Sequence, residues 1–173
     1  MSGSEPTLIL VTGLPGSGKT FFAKELAAKL GILHINSDII RKNTGASGHY
    51  SMRDKLSVYN VMAHVAEKEI SANKSVIVDA TFHHHSMRDA FVRLAQEYLC
   101  NLRVILVEAA EQLIAERLKK KRVDSEADLV VYYKIKSQYE PLSVPHLTLE
   151  STDDNIEEMV FAAVEYLKDH DRS

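Results

Sequence analysis

Three short runs of the chain are apolar without alternation: "TLILVT" (7–12), "SVIVDA" (75–80) and "LRVILVE" (102–108). Unbroken apolar runs rich in β-branched residues predict strands buried on both faces. "LHIN" (33–36) and "HLTL" (146–149) are weaker strand candidates. Between the strands the period lengthens. Phe22, Leu26 and Leu30 recur at every fourth position and Gly31 follows as a stop, which predicts a helix ending there. Leu56, Tyr59, Ala63, Ala66 and Ile70 form a longer helical stripe over about 51–73, and Met87, Phe91, Leu94 and Tyr98 form another. Ser86 with Asp89 three residues on predicts a capping box for that second stripe. Further helices are expected near 111–120, 125–139 and 155–168, the last with Asn155 as its N-cap.

Strands alternating with helices imply crossover connections and a parallel sheet covered on both faces. No internal repeat, low-complexity tract or Gly/Pro/Ser-rich linker divides the 173 residues, so one α/β domain over 1–173 is expected. Hydrophobic content of 45% and charged content of 26% are ordinary for a globular protein. A net charge of −3 gives no support to a general polyanion-binding surface, so any nucleic-acid contact has to be local. The lone Cys100 cannot form an internal disulfide. The start "MSGSEPTLILVTG" lacks a basic n-region, and no apolar run approaches the ~20 residues that cross a bilayer. A cytoplasmic location is the expectation.

Residues 13–20, "GLPGSGKT", match the phosphate-loop pattern G-x-x-x-x-G-K-[ST] in full, after the best strand and at the start of an amphipathic helix. Gly13, Gly16 and Gly18 let the backbone curl so that N–H groups point at phosphate oxygens, with Pro15 and Ser17 between them. The helix N-terminus adds partial positive charge. Lys19 is placed to reach the β- and γ-phosphates, and the Thr20 hydroxyl to ligate Mg²⁺. Asp79, closing "VIVD", is an acid at the carboxyl edge of a parallel strand, where it could serve the same Mg²⁺; a simpler role is to cap the next turn.

Two classes of nucleotide chemistry compete, a phosphotransferase and a hydrolysing switch or motor. The chain has no N-K-x-D: its "NK" continues as "NKSV". After Asp79 comes "ATF", so neither D-x-x-G nor a water-polarising Glu follows that acid. Both absences disfavour a hydrolase. A kinase instead needs a mobile cationic lid that excludes water until the acceptor is bound. "ERLKKKRVDSEADL" (116–129) has that form: a helix end, four cations, then Ser125 as the cap of a new helix. Taken alone, "KKKR" also fits a solvated charged face. "NSDIIRK" (36–42) follows the second strand candidate, which puts Asp38 and Arg41 at the ligand-binding edge, three apart on one helical face. A carboxylate to take or orient an acceptor hydroxyl proton and a cation to steady the acceptor are the groups a kinase requires there. A structural alternative is that Asp38, after Ser37, only caps a short helix. Residues 43–50, "NTGASGHY", read as a loop beside that site.

"GLPGSGKT", "INSDIIRK", "VIVDATF" with its following Arg, "ERLKKKR…SEADL" and "YEPL", in that order over most of 7–142, resemble the P-loop kinases related to polynucleotide 5′-hydroxyl kinase and, more distantly, zeta toxins. The resemblance implies a three-layer fold with five parallel strands in the order 2-3-1-4-5, and a short helical lid near 117–128. It implies ATP and Mg²⁺ as cofactors, Asp38 as general base, Arg41 as the acceptor-positioning arginine, and Asp79 as the magnesium-linked acid. Arg88 looks like an arginine lining the acceptor side, and Arg117 like one that packs on adenine. The lid cation falls at Lys121, with Arg122 beside it. Lysine at that position departs from the family pattern, because an ammonium cannot grip phosphate in a two-pronged fork.

The expected activity is transfer of the ATP γ-phosphoryl group to a hydroxyl of a small-molecule acceptor. A nucleic-acid 5′-hydroxyl end is the alternative acceptor, and a nucleotide-dependent switch or regulatory module the alternative class. "HHH" (83–85) cannot readily close on one metal ion, since three consecutive side chains point three ways. A polar loop before Ser86 is the plain reading, and contact of one imidazole with the acceptor the functional one.

Overall fold

The computed structural model describes residues 5–121 and 125–169. Five parallel strands form one sheet: β1 (Thr7–Thr12), β2 (Leu33–Asn36), β3 (Val76–Asp79), β4 (Asn101–Glu108) and β5 (Leu147–Glu150). Their order is β2-β3-β1-β4-β5, with β1 at the centre. Leu10 of β1 lies opposite Val78 on one side and Val104 on the other. The sequence-based strands agree, with ends moved by a residue or so: β3 is trimmed at both ends, and β5 runs one residue later.

Seven helices accompany the strands among the described residues: α1 (Lys19–Leu30), α2 (Ser37–Asn43), α3 (Met52–Ser71), α4 (His85–Glu97), α5 (Glu111–Lys121), α6 (Ser125–Gln138) and α7 (Ile156–Lys168). Alternate residues of each strand serve opposite faces. Leu8, Leu10, Val76 and Val78 pack under α3 and α4, against Met62, Ala66, Phe91 and Leu94. Ile9, Val11, Ile77 and Ile105 pack under α1 and α7, against Phe22, Leu26, Met159 and Ala163. Because both faces are covered at the centre of the sheet, β1 and β3 carry no polar side, as their unbroken apolar runs require, whereas the edge strand β5 exposes Thr148 and Glu150. Helices α5 and α6 pack on each other through Ile114, Leu118 and Tyr132, with Leu14 of the glycine-rich loop against them.

Helix ends explain several details. Ser51 and Asp54 form a reciprocal capping box at the start of α3. The box expected from Ser86 and Asp89 does not form, because α4 begins earlier, at His85, with His84 in the cap position and its side chain not bonded to the helix amides. The Glu140 carboxylate takes that role from 55 residues away: its Oε2 accepts from the His85 N–H at 2.8 Å. An anion is favoured there by the positive end of the helix. Asn155 precedes α7 as expected but does not bond its amides; its side chain joins Thr152 N (2.8 Å) to Glu150 O (2.8 Å).

Candidate active site

Everything notable about the site follows from strands ending at one edge. β1 runs into residues 13–18, which turn sharply and start α1 at Lys19. Gly13 has no room for a side chain, since a Cβ there would lie 2.4 Å from the Val107 carbonyl oxygen and 2.7 Å from Ser17 Oγ. Gly18 caps α1 with φ 90°, a left-handed conformation that favours glycine. The loop is braced from behind. Ser151, just past β5, donates from Oγ to Ser17 O at 2.7 Å. Arg117 on α5 donates from Nη1 to Gly16 O (3.2 Å) and Ser151 Oγ (2.8 Å), and from Nη2 to Thr152 O (3.1 Å). Arg117 thus joins the loop to the segment after β5. Lys19 Nζ lies 3.5 Å from Leu14 O, folded over the loop.

Asp79 ends β3 with 0% exposure. Asn36, at the end of the neighbouring β2, donates from Nδ2 to Asp79 Oδ2 at 2.8 Å and to Thr20 Oγ1 at 3.3 Å. His34 Nε2 lies 3.0 Å from the same Oδ2. Burial by itself raises the pKa of Asp79, but the His34 bond, the Lys19 charge and the Asn36 and Thr20 bonds outweigh it and hold the carboxyl below its usual range. The group is therefore ionised at neutral pH, and His34 carries its proton on Nε2 to donate to it. The other oxygen, Oδ1, is buried without any hydrogen-bond partner. A buried carboxylate oxygen left open beside a threonine hydroxyl and a phosphate loop fits a Mg²⁺ site, whose ion takes one or two protein oxygens and keeps several waters.

Asp38 and Arg41 share α2, at the same edge. Asn36 is the cap of that helix: its Oδ1 accepts from the Asp38 and Ile39 N–H groups, both at 3.0 Å. One asparagine therefore positions the candidate base, the acid and the threonine together, while the Asp38 side chain is left exposed. Arg41 is only 8% exposed. Its Nη1 donates to His49 O at 2.9 Å, its guanidinium lies 5.0 Å from the centre of the Tyr50 ring, and its Nε has no partner.

Beyond β3 the backbone is strained. Phe82 adopts φ 49°, unusual for a bulky residue, and is held by donating its N–H to Tyr59 OH at 3.0 Å between the Tyr59 and Phe91 rings. The three histidines diverge from there. His83 is 1% exposed, with Nδ1 3.3 Å from Thr81 Oγ1 and Nε2 buried and unpartnered. Its burial, with Lys55 nearby, lowers its pKa to about 4, so the ring is neutral. His84 and His85 meet Glu140 through Nδ1, at 3.1 and 2.6 Å. Arg88 is also turned to Glu140, donating from Nη2 to its carbonyl oxygen at 3.4 Å. Of the lid cations, Arg122 lies outside the described residues, as does the side chain of Lys121.

Sequence reasoning passed over His34, Asn36 and Ser151. Asn36 had a local signal, an asparagine between a strand and "SDII", where caps occur. His34 and Ser151 had none, because their partners are brought in by the sheet.

Residues 8–142 match the model of a family described as an AAA domain. A protein named "Putative adenylate kinase" from Pyrococcus furiosus is 33% identical over 116 residues, covering 66% of this chain and 55% of its own. The match thus spans about half the length of that relative. Another of the same name, from Thermococcus onnurineus, is 29% identical over 168 residues, covering 93% of this chain and 84% of its own. The solved Mycobacterium tuberculosis APS kinase, in complex with AMPPNP and APS, superposes with a TM-score of 0.77 at 21% identity, covering 96% of this chain and 99% of its own. A solved structure described as "a putative kinase" from Chloroflexus aurantiacus superposes with a TM-score of 0.77 at 21% identity, covering 96% of this chain and 98% of its own.

Proposed function

The chain belongs to the AAA-domain family, and from that premise we propose that it is an ATP-dependent phosphotransferase acting on a hydroxyl of a small-molecule acceptor. The observation that carries this reading is the arrangement around Asn36, which holds an ionised, half-open Asp79 and the Thr20 hydroxyl beside Lys19 and starts the helix bearing Asp38. Phosphoryl transfer asks the protein for positioning and charge balance more than for covalent chemistry. Similarity to proteins named as adenylate and APS kinases supports the same class.

In this reading the 13–18 backbone and Lys19 hold the ATP phosphates, and Thr20 and Asp79 hold Mg²⁺, which would neutralise charge on the transferring group. Arg117 stands between the loop and residues 151–152, where the adenine would pack on its guanidinium. Asp38 is exposed toward solvent and free of the capping task, so it can accept the proton of an incoming hydroxyl. Arg41 steadies the acceptor, Arg88 lies on the acceptor side, and Lys121 or Arg122 closes from the lid.

A second reading, with a 5′-hydroxyl nucleic-acid end as acceptor and a relation to polynucleotide kinases, is favoured by Tyr50. Its ring is 63% exposed and backed by Arg41, a surface on which a base could stack. ADP release decides between the two, measured for the wild type and Asp38→Asn with a 5′-hydroxyl oligonucleotide and with small polyols and nucleosides. Stimulation by small acceptors, lost in the variant, supports the first reading; stimulation by the oligonucleotide alone moves the assignment to the second. Steady hydrolysis that no acceptor raises would reject both in favour of a nucleotide-driven switch.

A further inference from the structure

We propose that His34 makes the site selective for Mg²⁺ over Ca²⁺: by filling Asp79 Oδ2, it leaves that carboxylate a single oxygen with which to meet an ion. This rests on the phosphotransferase reading, from which the metal-holding role of Asp79 is taken. The sheet register sets the arrangement. Asn36 lies opposite Asp79 in the β2–β3 pair, and His34 lies opposite Ile77, two residues back along β2 and so on the same face. That face is the one α1 covers, since Ile77 belongs to one cluster with Phe22 and Leu26. His34, Asn36 and Asp79 therefore share the side of the sheet occupied by the helix that carries Thr20.

Both donors land on one atom. His34 Nε2 lies 3.0 Å and Asn36 Nδ2 2.8 Å from Asp79 Oδ2. A carboxylate oxygen has about two lone-pair sites, so Oδ2 is full, while the buried Oδ1 has no partner. One donor on each oxygen would satisfy the carboxylate within the protein; the uneven arrangement instead reserves Oδ1 for something else. The two ions ask different things of such a group. Ca²⁺ gathers about six to eight oxygens and often grips both oxygens of one carboxylate, whereas Mg²⁺ takes a near-octahedral shell and keeps several waters in it. With Oδ2 closed by two donors, the two-oxygen grip is shut off, and so is rotation of the carboxylate to make one. A single oxygen with water completing the shell suits Mg²⁺. Of the two donors, His34 is the one that can be changed alone, because Asn36 also caps α2 and reaches Thr20 Oγ1. The imidazole is also the more accessible partner, with side-chain exposure of 16% against 0% for Asp79.

The test measures AMPPNP binding to the whole chain by calorimetry, with saturating Mg²⁺, with saturating Ca²⁺ and with EDTA. The wild type should bind most tightly with Mg²⁺. In His34→Asn, whose amide stops short of Oδ2, affinity with Mg²⁺ should fall about tenfold, the usual scale for losing a hydrogen bond to a metal-holding group. Affinities with Ca²⁺ and with EDTA should stay at wild-type values, so the preference for Mg²⁺ falls by the same factor. His34→Gln, whose Nε2 reaches the place of the imidazole Nε2, should restore it. A merely structural role would weaken all three conditions together. Each variant is compared below its own melting temperature. Equal wild-type affinity with the two ions overturns the inference without any variant. So does an unchanged preference in His34→Asn, or a preference lost in His34→Gln. Nucleotide binding that no divalent ion strengthens would sink the phosphotransferase reading and this inference with it, whereas Mg²⁺-dependent binding without the preference sinks the inference alone.

Discussion

Asn36 donates to Asp79 across the β2–β3 pair at 2.8 Å, and with its other side-chain atom starts α2. Replacing it with Ala removes a helix cap, worth about 1 kcal/mol, and a hydrogen bond to a buried carboxylate, worth about 1.5–3 kcal/mol. The expected result is a loss of roughly 2–4 kcal/mol in urea denaturation, together with weaker Mg²⁺ dependence of any transfer. A variant that loses stability but keeps the wild-type Mg²⁺ requirement would confine Asn36 to the fold.

Lys19→Ala should abolish phosphoryl transfer while leaving the melting temperature near that of the wild type, because the side chain is only partly buried above the loop. Radiolabelled phosphoryl transfer checks it, and retained transfer would contradict the role given to the loop.

Gly13→Ala is expected to be worse than the usual glycine substitution. Its Cβ would sit 2.4 Å from a backbone oxygen of β4, which cannot move without shifting the strand. The outcome to measure is a drop in stability beyond ~1 kcal/mol together with lost nucleotide binding; a well-folded, nucleotide-binding variant would show that the loop has slack.

Among the groups that shape the response to acid, Glu140 and His83 are shifted furthest. Bonds from the His85 N–H, His84 and His85 lower the Glu140 pKa to about 2, so its contribution is complete above the unfolded carboxylate value of ~4.3 and is lost as pH falls toward 2. His83, lowered to about 4 by burial, resists protonation in the fold; its contribution is complete above ~6.5 and is lost as pH falls from there to about 4. Melting temperature should therefore decline in two stages on acidification. Substituting Glu140→Gln should flatten the lower stage, and His83→Gln the upper. Identical slopes in wild type and variant would show that the group does not titrate with folding.

Much of this was legible because it is written locally. The phosphate loop carries its glycines, Lys19 and Thr20 within eight residues, and β1, β3 and β4 each advertise burial in a single apolar run. Strand order is different: it came from the family resemblance, since no local period records that β1 lies between β3 and β4. The bonds of His34 to Asp79, Glu140 to the α4 N-terminus, and Arg117 to Ser151 escaped for the same reason. Each joins residues far apart in the chain, and polar partners chosen by the fold leave no spacing to read. Ser86 misled because a good cap motif stood two residues inside a helix whose start is set from elsewhere.

The central strand has one further consequence, for the order in which the molecule can be built. Leu10 finds its neighbours only at Val78 and Val104, and every other strand pair is likewise distant along the chain. Sheets made of such pairings close slowly, because loop entropy is spent before any pairing repays it. The glycine-rich loop shares in that order, since its first glycine lies directly against the Val107 carbonyl of β4. A nucleotide that binds the shaped loop therefore favours chains in which β4 has already paired with β1.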